Sequence, residues 1–181
     1  MIYVFLADGF EEVEAIGPVD VLRRAGLDVK LVGIGEKLVR SSKGISIMAD
    51  ITEEEAAFDG IEAVILPGGL PGTTNLEKNE TVNKFIDYCL DNNKYLCAIC
   101  AAPSVFGHRG ILKNVEATSF PSFQSELAGA VLSEKSVVRD GQFVTARGAG
   151  VSLEFGAEIA SLFVGREKAD SILKSMQFNL K

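Results

Sequence analysis

Four short, predominantly apolar runs in the first hundred residues constrain the fold most strongly. They cover residues 2–7, 27–34, 63–66 and 95–99. Runs of this kind are typical of strands that are buried on both faces of a parallel sheet. Because longer helical segments separate them, the chain is expected to form an α/β sandwich, with a mostly parallel central sheet and helices on both faces.

The remaining elements follow from helical periodicity and turn residues. The first helix is expected to run from Glu11 to Arg24, with Pro18 as an irregularity, because its ring would clash with the carbonyl of Glu14. Residues 52–55 predict a capped helical turn. Two hairpins are predicted, at residues 38–50 and 136–146. Further helices are predicted at residues 80–92, 122–127, 151–164 and 167–176, and residues 112–118 are expected to return toward the sheet.

The composition is that of one globular domain spanning residues 1–181. The chain has a formal net charge of −7 and no basic run, which argues against a nucleic-acid-binding surface. Its apolar start lacks a basic region and is too short for a signal peptide or a membrane span. The three cysteines lie too close together to frame a disulfide scaffold. These features predict a cytoplasmic protein with reduced thiols.

Residues 95–104 predict a reactive cysteine. The apolar first half predicts a strand, and Pro103 suits the first turn of a helix. Cys100 would then lie at a sharp strand-to-helix turn, over backbone amides that favour a thiolate. The alternative is an unreactive core cysteine. The spacing of Cys97 and Cys100 also allows a redox dithiol, but Cys97 falls inside the strand, and a zinc site would need more ligands.

A carboxyl group is the expected proton-transfer partner of Cys100. The single histidine, His108, lies on the same helix at a distance of roughly 12 Å, which argues against a cysteine–histidine protease. Glu14 is the best remaining candidate, because it follows the first strand beside a forced irregularity. Glu11 and Glu12 are interpreted as a solvated helix start.

Four segments follow the carboxyl ends of predicted strands: residues 9–14, 67–72, 100–102 and 147–150. Ligands bind at such ends in open parallel sheets. Two of these segments are glycine-rich loops, whose backbone amides can approach an anion. The sequence therefore predicts that a nucleophile, a carboxyl group and two amide-rich loops converge.

Five segments resemble the DJ-1 (Parkinsonism-associated deglycase) family of the DJ-1/PfpI superfamily. They are residues 9–14 (GFEEVE), 18–26 (PVDVLRRAG), 66–69 (LPGG), 98–103 (AICAAP) and 145–150 (TARGAG). They occur in the family's order, and the similarity covers essentially the whole chain. The pattern is similar to the bacterial branch, sometimes labelled as thiamine-biosynthesis (ThiJ) proteins, although nothing in the sequence suggests thiazole chemistry.

The resemblance implies a flavodoxin-like sandwich of the class I glutamine amidotransferase type, usually a homodimer with its site near the subunit interface. It carries the oxidation-prone nucleophile onto Cys100, its carboxyl partner onto Glu14, and the anion pocket onto the amides of Gly69 and Ala101. No metal or organic cofactor is expected. Residues that could also line the pocket are Gly68, Phe120, Arg147, Gly148, Arg24 and Lys43.

This sequence departs from relatives at several positions. A histidine that some relatives carry near the cysteine corresponds to Phe120, and an arginine of the animal proteins corresponds to Lys43. A proline of the last glycine-rich loop is replaced by Ala149. The protease branch carries a histidine directly after its cysteine, where this chain has Ala101.

The leading functional hypothesis is a glyoxalase or deglycase that needs no glutathione. The Cys100 thiolate, which the amides are expected to favour, would attack a 2-oxoaldehyde to form a hemithioacetal, and Glu14 would move a proton between adjacent carbons. The first alternative is a redox sensor or chaperone, in which Cys100 oxidises to a sulfinate without turnover. The second is a non-catalytic binding module on the same fold. The expected partners are a small aldehyde, or a glycated amine or thiol, and a second copy of the chain.

Overall fold

The computed structural model describes residues 1–178 as alternating strands and helices. The strands are β1 (Ile2–Leu6), β2 (Val29–Gly33), β3 (Leu38–Arg40), β4 (Ser46–Met48), β5 (Ile51–Thr52), β6 (Ala63–Leu66), β7 (Tyr95–Ile99), β8 (Glu116–Ala117), β9 (Val131–Leu132), β10 (Val137–Asp140) and β11 (Phe143–Ala146). The helices are α1 (Glu12–Arg24), α2 (Gly72–Lys78), α3 (Glu80–Asp91), α4 (Pro103–His108), α5 (Ser152–Val164) and α6 (Arg166–Ser175). Two 3₁₀ helices are Pro121–Glu126 and Ala149–Val151.

A seven-stranded sheet forms the centre of the fold, with the strand order β10-β11-β7-β6-β1-β2-β5. Every neighbouring pair in it is parallel except β10 and β11, which form an antiparallel hairpin. The parallel strands therefore end at one edge of the sheet, where their loops can meet. The predicted α/β fold with a mostly parallel central sheet is confirmed.

Two apolar layers cover the two faces of this sheet. On β1, Ile2, Val4 and Leu6 pack into the layer that contains α1, α5 and α6. The alternate residues Tyr3 and Phe5 pack into the opposite layer, with α3 and α4. Successive side chains of a strand point to opposite faces, so a strand buried on both faces must be apolar throughout. This explains the unbroken apolar runs in the sequence.

The predicted elements are largely present with shifted ends. Both hairpins form, as β3–β4 and β10–β11. Helix α1 continues through Pro18, which the sequence identified as an irregularity. The backbone of Pro18 packs closely against α5, where a Cβ on Gly156 would lie 2.8 Å from the Pro18 Cα. Helix packing therefore holds α1 in place despite the hydrogen bond that proline removes.

Two local elements differ from the prediction. Helix α2 was not predicted, because threonine, asparagine and glycine in its first turns are weak helix formers. The predicted helix at 122–127 is a 3₁₀ helix, Pro121–Glu126. The capped turn at 52–55 is present, since the Glu55 carboxyl group accepts a hydrogen bond from the Thr52 N–H at 2.8 Å. Residues 112–118 return toward the sheet as predicted: the Glu116 N–H donates to Asp140 of β10, although β8 itself pairs with β9 in a separate two-stranded sheet.

Candidate active site

Cys100 lies at the sharp turn between β7 and α4. Its φ is +64°, a left-handed conformation that is uncommon for a residue with a side chain. Two backbone hydrogen bonds hold it there: its N–H donates to the carbonyl of Ala146 at 2.8 Å, and its carbonyl accepts from the N–H of Phe120 at 2.8 Å. Neighbouring strands and loops thus stabilise a strained backbone that leaves the side chain half-buried. The predicted strand-to-helix turn is present.

Glu14 reaches the same place from the first turn of α1, where it is buried. The Glu11 side chain caps the helix by accepting a hydrogen bond from the Glu14 N–H at 2.8 Å. The Glu14 carboxyl oxygen Oε2 accepts a hydrogen bond from the Gly68 N–H at 3.0 Å. The carboxyl group is therefore fixed between α1 and the loop after β6.

Close backbone contact joins the β1–α1 loop to the β6–α2 loop. The Glu11 N–H donates to the Gly68 carbonyl at 2.9 Å. A Cβ on Gly69, which has a φ of +89°, would lie 2.5 Å from the Glu11 nitrogen. Only glycine allows both this φ and this approach. Glycine at positions 68 and 69 therefore allows the two loops to come into contact, and this contact positions Glu14.

Gly68 is also the point at which Glu14 and Cys100 meet. A Cβ on Gly68 would lie 2.6 Å from Glu14 Oε2 and 2.7 Å from Cys100 Cβ. The Cys100 thiol and the Glu14 carboxyl group are close enough for each to shift the pKa of the other. The structure thus brings together the two residues that the sequence analysis selected as a nucleophile and its carboxyl partner.

The pKa values of this pair are both raised. Burial raises the pKa of Glu14 to about 7, although its hydrogen bond with Cys100 partly opposes the rise. Burial, and then the negative charge of Glu14, raise the pKa of Cys100 to about 12, and the Ala101 amide lowers it only in part. Burial and the charge of Glu14 therefore oppose the thiolate that the amides are expected to favour at Cys100. The two groups titrate as a pair, because each one shifts the pKa of the other.

A pocket of about 320 Å³ opens over Cys100. Its lining residues are Glu11, Ser42, Lys43, Gly69, Leu70, Cys100, Ala101, Phe120 and Phe123. Gly69 and Ala101 line the pocket together with Cys100, and the Ala101 amide interacts with the sulfur. The N–H of Gly69 donates to no other backbone group within residues 1–178. Amides in this position can bind the oxygen of a carbonyl that the sulfur attacks.

The other candidate pocket residues are placed differently. Lys43 and Phe120 line the pocket, and Gly68 lies behind it, against Glu14. Arg147 and Gly148 line an adjoining pocket of about 510 Å³, which shares Phe120 as a wall. Arg24 lines neither pocket.

The position of Arg24 corrects the sequence prediction that it lines the site. It lies at the far end of α1 from Glu14, and its side chain forms an exposed ion pair with Asp20 at 3.0 Å. A rise of 1.5 Å per helical residue separates the two ends of this helix. The presence of Arg24 in a segment that resembles the family was therefore a poor guide to whether it lies in the site.

His108 is not a partner of Cys100 within the chain. Its Nδ1 lies 2.5 Å from Glu77 Oε1, and its Nε2 lies 3.1 Å from Glu126 Oε2. The hydrogen bond with Glu77 is the largest influence that raises the pKa of His108. This histidine ties α4 to α2 and to the 3₁₀ helix Pro121–Glu126. Its predicted structural or surface role agrees with these contacts.

The dithiol and metal alternatives find little support in this geometry. Cys97 is fully buried in β7, as predicted, and burial raises its pKa well above the usual value. Cys89 is also buried, on α3. Within residues 1–178, no group of three or more histidine, cysteine, aspartate or glutamate side chains is arranged to hold a metal ion.

Sequence reasoning missed four residues of the pocket. Glu11 was interpreted as solvated, but it is half-buried, caps α1 and lines the pocket. Its position at the helix start, just ahead of the first helical turn, was a usable signal for a cap. Leu70, Ser42 and Phe123 gave no such signal, because they enter the pocket through loops whose course only the tertiary structure defines.

No helix in residues 1–178 combines the length and apolar character needed to cross a membrane.

Comparison with known proteins shows clear relatives. The chain is 35% identical over 176 residues to the Drosophila melanogaster protein dj-1beta, covering 96% of this chain and 94% of the relative. The crystal structure of that protein superimposes with a TM-score of 0.93 at 34% identity, over 99% and 98% of the two chains.

Two further relatives bear on the site. The Caenorhabditis elegans protein named glutathione-independent glyoxalase DJR-1.2 is 29% identical over 168 residues, covering 92% of this chain and 89% of the relative. A structure of Toxoplasma gondii DJ-1, described as oxidized, has a TM-score of 0.95 at 25% identity and covers 99% and 98% of the chains. The DJ-1/PfpI family model matches residues 1–162. This chain therefore belongs to the DJ-1/PfpI family.

Proposed function

We propose that this protein is a cysteine-dependent glyoxalase that converts 2-oxoaldehydes into 2-hydroxy acids without glutathione. The observation that carries the proposal is the pairing of Cys100 with Glu14, a buried carboxyl group with a pKa of about 7, beneath the amides of Gly69 and Ala101. A group with a pKa near the working pH can both accept and return a proton. The named glyoxalase among the relatives supports the same chemistry.

The first step is addition of sulfur to the aldehyde. Because the pKa of Cys100 is about 12, the resting group is a thiol, and the Glu14 carboxylate must remove its proton during attack. The sulfur–carbon bond forms as the carbonyl electron pair moves onto oxygen. The amides of Gly69 and Ala101 bind that oxygen, which then takes the proton back from Glu14. The product is a neutral hemithioacetal.

The second step moves hydrogen between the two substrate carbons. The Glu14 carboxylate removes the proton from the former aldehyde carbon, and the electron pair shifts toward the neighbouring ketone through an enediol. Glu14 returns the proton to the ketone carbon, and the hydroxyl proton of the hemithioacetal moves to the former ketone oxygen, which leaves a 2-hydroxyacyl thioester on Cys100. Water then cleaves the thioester and frees the thiol. One carbon is oxidised and its neighbour reduced, so the reaction needs no external oxidant.

The same chemistry extends to aldehyde adducts of amines and thiols, which would make the protein a deglycase. An adduct in equilibrium with its free aldehyde would present the same carbonyl to Cys100. The amine or thiol would leave before Glu14 moves the proton between the two carbons. Deglycase activity therefore requires the same two residues as glyoxalase activity.

Consumption of methylglyoxal without glutathione tests the proposal, with lactate measured as the product. We expect turnover in the wild type and its loss in Cys100→Ser and in Glu14→Gln. His108→Gln is the matched control, because its contacts are with Glu77 and Glu126 rather than the pocket. Unchanged turnover in Glu14→Gln would remove that residue from the mechanism, and no turnover in the wild type would refute the proposal.

A redox role is the second candidate function, and the partial exposure of Cys100 favours it. Cys100 is half-buried, whereas Cys89 and Cys97 are buried, so an oxidant would reach Cys100 first. Its raised pKa argues against rapid oxidation, since the thiolate is the reactive form. Peroxide titration followed by intact-protein mass decides between the two. Selective gain of two oxygens at Cys100, with negligible aldehyde turnover, would support a sensor.

We also propose that the chain forms a homodimer through a surface beside the pocket. The β3–β4 hairpin exposes Leu38, Ile45 and Met48, and α1 exposes Val13. The turn of the same hairpin contributes Lys43 to the pocket. Exposed apolar side chains grouped in this way are typical of interaction surfaces. Light scattering should give a dimer mass that falls in Met48→Glu, and a monomeric wild type would refute this.

A further inference from the structure

We propose that this pocket selects 2-oxoaldehydes that carry an apolar, above all aromatic, substituent, and that Phe120 is the residue that determines this selectivity. The inference rests on the proposed function, since it concerns the substrate of the same site. Three apolar residues form one wall of the pocket that contains Cys100: Phe120, Phe123 and Leu70.

The reactive end of a substrate has a defined place in the pocket. Its aldehyde carbon must contact the sulfur of Cys100, and its oxygen must lie at the amides of Gly69 and Ala101. The substituent on the ketone carbon then extends away from the sulfur, into the rest of the pocket. A pocket of about 320 Å³ lies within the usual range for small-molecule sites, roughly 300–1,000 Å³. The single methyl group of methylglyoxal leaves much of it empty.

The apolar wall is available to such a substituent. Phe120 and Leu70 are 46% and 55% exposed, respectively, so large parts of both side chains have no protein contact. An apolar group bound between them would remove these surfaces from water, and a ring could stack on Phe120. Leu70 directly follows Gly69, so the wall begins beside the expected oxygen site. The position of the wall thus matches the position of the substituent.

Phe120 is also held rigidly with respect to the nucleophile. Its N–H donates to the carbonyl of Cys100 at 2.8 Å, and its own carbonyl accepts from the N–H of Phe123 at 2.8 Å. Its ring atom Cδ2 lies 3.6 Å from the position that a Cβ on Gly148 would occupy. The backbone of Phe120 is therefore held in place beside Cys100, and its ring lies close to Gly148. A preorganised wall discriminates between substrates better than a mobile one.

Phe120 separates this pocket from its neighbour. The adjoining pocket of about 510 Å³, which Arg147 and Gly148 line, shares the Phe120 side chain. Truncation of Phe120 would remove the stacking surface and connect the two spaces. An aromatic substrate would then lose its contact, whereas a methyl group would lose little. Selectivity, rather than the chemical step, should therefore change in Phe120→Ala.

The polar residues that line the pocket do not favour the binding of a charged substrate. Lys43 carries a positive charge, but Glu11 lines the same pocket with a negative one, and Ser42 is neutral. A strongly anionic or cationic substituent would meet one group of its own sign. A neutral substituent avoids this repulsion and gains contact with the apolar wall. The lining as a whole therefore favours neutral, apolar substrates.

The test compares the kcat/KM of phenylglyoxal with that of methylglyoxal, from initial rates, in the wild type, Phe120→Ala and Phe120→Leu. Comparing the ratio between variants cancels the different intrinsic reactivities of the two aldehydes. We expect the ratio to fall by about 10-fold in Phe120→Ala and to fall less in Phe120→Leu. Phe58→Ala is the control, since Phe58 is similarly exposed at 40% and lies outside the pocket.

A second measurement does not depend on turnover. Mandelate and lactate are the products expected from the two aldehydes, and each can be tested for protection of Cys100 from iodoacetamide. We expect mandelate to protect the wild type at an approximately 10-fold lower concentration than lactate, and Phe120→Ala to lose this preference. Equal protection by the two acids, or an unchanged kcat/KM ratio in Phe120→Ala, would overturn the selectivity inference. Absence of turnover with both aldehydes would instead refute the proposed function.

Discussion

Replacement of Gly68 by alanine should separate the reacting pair without unfolding the protein. Gly68 does not have a left-handed φ, so an alanine can adopt its backbone conformation. The added Cβ would lie 2.6 Å from Glu14 Oε2 and 2.7 Å from Cys100 Cβ. Ordinary contact begins at 3.4 Å, so the carboxyl oxygen must retreat by about 0.8 Å and the cysteine by about 0.7 Å. Both displacements act on the one hydrogen bond through which the proton is proposed to move.

The expected cost follows from these displacements. A misplacement of about 1 Å at reacting groups can cost on the order of 100-fold in rate, so we expect a loss of similar size in kcat/KM for methylglyoxal. Overpacking of this kind typically lowers the free energy of unfolding by about 1–3 kcal/mol. The assay therefore pairs aldehyde turnover with urea unfolding, so that a folded but inactive variant can be recognised.

Gly150→Ala is the matched control for this experiment. Gly150 lies in the 3₁₀ helix Ala149–Val151, has no left-handed φ, and a Cβ there would meet nothing within 4 Å. The same substitution should therefore leave stability and turnover close to those of the wild type. Wild-type turnover in a folded Gly68→Ala protein would refute the reasoning, because it would show that the close approach of Glu14 to Cys100 is not needed.

Three further predictions concern the titration of the pair. The kcat/KM for methylglyoxal should rise with pH through about 7, because Glu14 accepts the thiol proton only when ionised, and Glu14→Gln should lack that rise. Glu14→Gln should also lower the pKa of Cys100, since it removes a nearby negative charge, so iodoacetamide should alkylate this variant faster than the wild type at pH 8. Because folding raises the pKa of Glu14 from 4.5 to about 7, its stabilisation is complete below pH 4.5 and is lost as the pH rises through 7. Urea unfolding should show the wild type losing about 3 kcal/mol relative to Glu14→Gln between pH 4.5 and pH 8, and a constant difference would contradict the assigned pKa.

The raised pKa values distinguish this site from one that stores a thiolate. Burial disfavours the charged form of both groups, so the Cys100 thiol keeps its proton until its sulfur attacks a substrate carbonyl. In the proposed mechanism, attack by the sulfur and deprotonation by Glu14 therefore occur together. A thiol in this state resists non-specific oxidation better than a free thiolate would. The arrangement therefore suits a nucleophile that acts only when a carbonyl is bound.

The local sequence was sufficient to identify the buried strands, the hairpins and the sharp turn at Cys100. Apolar runs without alternation can be stable only between two covered faces, which sets the fold class. A cysteine between such a run and Pro103 can only lie at a strand-to-helix turn. His108 could be excluded as a base from helix geometry alone. These conclusions depend on residues close together in the chain, which explains why they required no tertiary information.

The tertiary structure decided what the local sequence could not. The pocket wall combines Leu70 and Phe120 from loops that are distant in sequence. Arg24 lies outside the pocket, although it belongs to a segment that resembles the DJ-1 family. The sequence also predicted a thiolate at Cys100, from the helix N-terminus and the loop amides. Burial and the charge of Glu14 outweigh those amides, and both depend on how the loops pack. Residue order determined the nucleophile, whereas three-dimensional packing determined its protonation state and the surface that a substrate meets.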